Sequence, residues 1–174
     1  MLHSFWVDHS LNILDQCGPE GRTALNFIRA HRVNISFHEQ PTAARWTLDG
    51  HIQLHPRYAD GDPGAAYPLS LIVHEVRHLQ QGFFTALSVN GELDAWQLQF
   101  SFLKNLTGKY HDDPRHDFII HELISLPLSM DRNVLLKSRQ LMQDYAGRKY
   151  RIDLLPLFPL MREFLFYLGG HSQN

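Results

Sequence analysis

The run Leu69-Ser-Leu-Ile-Val-His-Glu-Val-Arg-His-Leu79 constrains the fold of this chain more than any other segment. As a helix, at about 100° per residue, it gathers Leu69, Ile72, Val73 and Val76 on one side, with Leu79 and Phe83 continuing the stripe. His74 and His78 lie four apart, one turn above each other on the opposite side. Such a helix packs by one face and presents two imidazoles with the other.

The pentapeptide His74-Glu-Val-Arg-His78 is an H-E-x-x-H pattern. It aims two nitrogens at one point, and it sets a carboxylate at the edge of that face, within reach of a water beside a bound metal. His74 and His78 are therefore candidate zinc ligands and Glu75 the candidate general base. The competing reading is a surface pair of histidines beside a solvated glutamate, which a chain with twelve histidines produces by chance now and then. His38-Glu39 and His121-Glu122 serve as controls, since neither has a second histidine three residues after its glutamate.

The rest of the chain is that of an ordinary globular protein. Its 174 residues, 44% hydrophobic and 20% charged, suit one domain with its own core. A formal net charge of −2 with mixed signs offers no basic stripe for nucleic acid. The single cysteine, Cys17, cannot close an internal disulfide, and with no Cys-x-x-Cys a reducing, cytoplasmic setting is expected. The N-terminus has neither a basic opening nor a long apolar stretch, so no secretory signal is read there. Leu154 to Leu168 is the most apolar tract, but Pro156, Pro159, Arg162 and Glu163 interrupt it short of the ~20 residues of a membrane span. It reads as a buried C-terminal helix, and no membrane partner is expected.

Periodicity predicts a helix over Gly21 to His31, then strands at Val33 to Phe37, Ala44 to Leu48 and His51 to Leu54. The last two flank Asp49-Gly50, a hairpin dipeptide, so an antiparallel three-stranded sheet is expected. A Pro/Gly/Asp-rich loop over Pro56 to Gly64 leads to the motif helix, Pro68 to Gln81, capped by Gly82. Further helices are expected at Gly91 to Leu106 with Asn90 or Ser88 as N-cap, His116 to Ser125, Asp131 to Tyr145 and Leu157 to Leu168.

A catalytic zinc takes three protein ligands, and Glu92 in Asn90-Gly-Glu-Leu-Asp-Ala-Trp96 is the best third candidate. Its helix is so apolar that a carboxylate on it calls for compensation, which a cation supplies. An acid in a first helical turn is also favoured by the helix dipole alone, so that alternative stands beside the ligand role.

His74-Glu-Val-Arg-His78 followed by Glu92-Leu-Asp-Ala95 resembles the gluzincin pattern, H-E-x-x-H with a later E-x-x-A, and especially the small bacterial minigluzincins. The resemblance covers about half the chain, Gly21 to Leu106; residues 107–174 have no counterpart in it. It implies a zincin-like fold for that half, and with the length and element pattern above the expectation is an α+β, mostly helical single domain over residues 1–174. It also implies Zn²⁺ held by His74, His78 and Glu92, Glu75 as general base, and a metallopeptidase acting on a peptide or protein. His51 to Leu54 becomes the edge strand along which substrate pairs. One departure is Trp96, where many members carry an acid that orients a ligand histidine; Asp94 or a backbone carbonyl are the substitutes considered. Tyr110, His111, His116 and Tyr145 are the groups downstream able to fold over the metal as oxyanion donors. A catalytically inactive metal- or peptide-binding module on the same architecture is the competing expectation.

Overall fold

A computed structural model of the protein describes residues 2–147 and 150–169. The few positions outside those ranges, which the expected 1–174 domain and its 107–174 helical part include, lie outside the described residues.

Trp6, Ser10 and Leu14 recur at four-residue spacing and are buried, making a helix of Leu2–Leu14 (α1) that is not among the elements expected above. His9, Asn12 and Asp8 dilute its apolar stripe, which hides it from a periodicity reading. α1 matters to the site indirectly. Its Trp6 indole donates to the Gly61 carbonyl at 3.1 Å and its Ser10 hydroxyl to the Pro63 carbonyl at 2.9 Å, pinning the loop that leads into the motif helix. Gly18–His31 forms α2, three residues longer at its start than expected because Pro19 suits a first turn.

Three short strands follow: β1 (Ile35–Phe37), β2 (Ala44–Trp46) and β3 (Ile52–Leu54). β2 and β3 pair antiparallel around the Asp49-Gly50 turn, with Arg45 opposite Gln53. The expectation of a fully antiparallel sheet is corrected by β1, which pairs parallel to β3, Ile35 opposite Ile52. β3 inserts between the other two, giving the order β1-β3-β2. The expected edge role of His51 to Leu54 is corrected with it: β3 is central, Ile52 and Leu54 are fully buried, and β2 is the edge that packs on the motif helix. Alternation within a segment reports which residues face inward, and sheet order comes from contacts that it does not encode.

The motif lies on α3 (Ala66–Gln81), with Leu69, Ile72, Val73 and Val76 buried in the core as its spacing predicts. Gly82, at φ 74°, ends it, and Phe83 starts a one-turn helix, α4 (Phe83–Ala86), so Phe83 is half exposed and not part of the α3 packing face. α5 (Val89–Thr107) starts from Ser88, whose hydroxyl accepts the Gly91 amide. Gly91 permits the close turn from α4, because a Cβ there would stand 2.1 Å from the Thr85 carbonyl oxygen. That contact brings Glu92, one residue on, over the end of α3.

α6 (Pro114–Ser125) and α7 (Arg132–Ala146) are capped by Asp113 and Asp131, and a 3₁₀ turn over Ile152–Leu154 leads to α8 (Leu160–Gly169). The amides of Val89 and Asn90 donate to the carbonyls of Pro156 and Leu157, tying this last segment to the start of α5. α8 itself corrects the expectation of a buried C-terminal helix: Met161, Phe164, Leu165, Tyr167 and Leu168 are all exposed. It contacts α4, a four-residue element too short to cover it. No helix among the described residues is long and apolar enough to cross a membrane.

The architecture is α+β, mostly helical with one small mixed sheet. One core joins α1, α2, the sheet and α3, with Phe102 of α5; a second joins α5 to α6, α7 and the 3₁₀ turn. α3 and α5 lie against each other between them.

Candidate metal centre

His74 and His78 project from α3 towards Glu92 of α5, and the three form a group in which one donor atom from each lies within 4.8 Å of the others. The two Nε2 atoms are 2.9 Å apart, with Glu92 oxygens 3.8 Å from His74 and 3.5 Å from His78. Tetrahedral zinc with bonds of about 2.0–2.1 Å sets its donors roughly 3.3 Å apart. The observed separations bracket that value. Two imidazole nitrogens and a carboxylate, nearly shielded from solvent, therefore fit a divalent cation, and the group could hold a metal ion. The sequence brings these residues together through helical spacing on α3 and the tight Gly91 turn into α5.

The electrostatics agree. Burial pushes the His74 imidazole down to about 3, and the neighbouring His78 adds to the shift. Burial also disfavours charge on His78, but Glu92 outweighs it and raises His78 to about 9. Burial acts on Glu92 in the opposite sense to its partners, and the two histidines hold its carboxyl below the usual range. One proton on His78, facing neutral His74 and ionised Glu92, thus stands where a cation would stand.

Glu75 is buried on the same side of α3, at 5% exposure. Burial raises its carboxyl to about 7, with the His78 charge and the backbone N–H of Trp46 in β2 pulling the other way. The carboxylate thus lies near the Trp46 amide at the sheet edge. Trp96 also has a place in the site: its indole N–H donates to Glu92 Oε2 at 3.0 Å, orienting the carboxylate from one turn along α5. Asp94 points away from the donor atoms, towards Arg77 and Gln81.

The donors open into a cleft of about 340 Å³. Of the four groups considered as oxyanion donors, only Tyr145 lines it. His111 and His116 pack edge-on behind the Tyr145 ring, and Tyr110 is buried beneath Lys104 of α5. Tyr67 and Tyr150, absent from the candidates above, line the cleft as well. Tyr67 shares the spacing Tyr67, Leu71, His74, His78 along α3, a periodic signal available from the sequence. Tyr150 carries no such signal, because it reaches the cleft from the connection after α7. Burial raises all three phenols above their ordinary range, Tyr145 to about 12, so each is a neutral hydroxyl near pH 7.

No protein-family model matches the chain, and no curated protein or solved structure matches it either.

Proposed function

We propose that this protein is a zinc-dependent peptidase with a zincin-like site of the gluzincin type. The observation that carries the reading is the convergence of His74, His78 and Glu92 beside the buried Glu75 and beneath the open edge of β2. His74, His78 and Glu92 hold the metal, which when bound supplies positive charge to polarise a carbonyl and acidify water.

The chain's own residues do the rest. Glu75, oriented by the Trp46 amide, takes a proton from the attacking water and delivers it to the departing amine. Trp96 keeps Glu92 turned to the histidines. A peptide in extended form pairs along β2, with apolar side chains lying against Leu71, Phe100 and Ile152. Tyr67, Tyr145 and Tyr150 line the same space, and their phenols are the candidate donors for a developing oxyanion.

A catalytically inactive metal- or peptide-binding module on the same architecture is the second reading. Zinc-loaded protein tested on a diverse peptide library separates the two. Cleavage that falls by about 10²–10⁴ in Glu75→Gln, with zinc still bound, supports the peptidase. Full activity in that variant, or no cleavage by the wild type, overturns it.

A further inference from the structure

Gln81 ends α3 one turn beyond His78, and its partners fix which way round its amide sits. Nε2 donates to the Gly91 carbonyl at 2.9 Å and to Asp94 Oδ2 at 2.8 Å. A backbone carbonyl and an ionised carboxylate only accept, so the nitrogen of the amide must face them. The oxygen then faces His78, at 3.1 Å from Nδ1. An amide oxygen has no proton to give, so Nδ1 is the donor. A neutral histidine protonated at Nδ1 carries its lone pair on Nε2, and His78 Nε2 is the atom that meets His74 and Glu92. Asp94 is in turn held by Arg77, whose Nε donates to the same Oδ2 at 2.8 Å.

We infer that Gln81 is a positioning residue for the metal centre: it fixes the tautomer and ring angle of His78, and Asp94 and Arg77 anchor it. The inference rests on the zinc reading above. Arg77, inside the pentapeptide, thus acts on His78 by a route through α5 that crosses the gap between the two helices. The arrangement also accounts for Asp94, which touches no metal donor yet is only one-fifth exposed. Partners that orient a ligand histidine are worth about 10–100-fold in metal affinity when removed.

The test is zinc affinity of the full chain by competition with a chromophoric chelator. Gln81→Met keeps side-chain length and deletes the amide, and it is expected to weaken zinc by about 10–100-fold. In zinc-loaded wild type, an imidazole N–H resonance of His78 Nδ1 is protected from exchange; in Gln81→Met it exchanges with solvent. A second variant, Gln81→Leu, deletes the same amide with a branched side chain of similar volume. It is expected to weaken zinc by about the same 10–100-fold. Wild-type affinity in Gln81→Met or in Gln81→Leu overturns the role of Gln81 while leaving the zinc reading intact. A wild-type chain that takes up no zinc overturns both. If Gln81→Met does not fold, Gln81→Leu decides by the same threshold.

Discussion

On one side of the cleft, α3 and α5 carry His74, Glu75, His78 and Glu92 on backbone buried between two cores, and every one of these side chains meets another polar group. On the other side, α7, the connection after it and the 3₁₀ turn present Tyr145, Tyr150 and Ile152, and the chain then continues into α8 with its apolar side chains exposed. The first side is held by charge and hydrogen bonds as well as packing; the second is held by aromatic packing, Tyr145 standing edge-on to Trp96, Phe100 and His116. The difference separates the proposed tasks: metal and proton chemistry belong to the floor, and the fit of the substrate belongs to the wall.

Removing a ligand tests the floor most severely. His74→Ala is expected to reduce zinc from about one per chain to near zero by elemental analysis, with loss of all hydrolysis. Stoichiometric zinc in that variant breaks the assignment. The wall is tested through its own core: Leu135 of α7 is fully buried there, so Leu135→Ala is expected to cost about 2–5 kcal/mol in denaturant unfolding. Zinc affinity of the folded variant should change little. A parallel loss of zinc would show that floor and wall form one unit.

The smallest effect concerns protons. His78 is raised to about 9 in the metal-free protein, so its protonated form competes with the metal throughout the neutral range. Affinity is therefore expected to rise about tenfold per pH unit from pH 6.5 towards 9, then level off. The sign follows from the raised value: the stability that charged His78 lends the metal-free fold is full below about 6.5 and is lost as pH rises through about 9. Calorimetry in buffers of different ionisation enthalpy at pH 7 should count about one proton released per zinc. Zero would mean His78 is already neutral.

The floor was more legible in the sequence than the wall, for a physical reason. His74, Glu75, His78 and the packing face of α3 follow from helical spacing within eleven residues, and Glu92 stands out as a carboxylate on an apolar helix. The positions of α2, α3, α5, α6 and α7 follow likewise from local periodicity and caps such as Ser88 and Asp131, whereas the one-turn α4 is too short to carry a period. Sheet order did not, because the placement of β3 between β1 and β2 depends on pairing across seventeen residues, Ile35 with Ile52. Nor did the wall: Tyr150 has no pattern of its own, and the exposure of α8 is decided by how little α4 can cover. Asp94 was visible as a candidate, but its route to His78 through Gln81 exists only once α3 and α5 are side by side.

The bond between the Trp96 indole and Glu92 has an optical consequence. Of the three tryptophans, Trp6 is tied to Gly61 away from the cleft, while Trp96 donates to a metal-site carboxylate and the Trp46 ring lies 6.3 Å from that of His78. A protonated imidazole quenches a nearby indole, and a change in charge on Glu92 alters the field along the Trp96 N–H. The intrinsic fluorescence of the protein is thus expected to report whether a cation occupies the His74, His78 and Glu92 group.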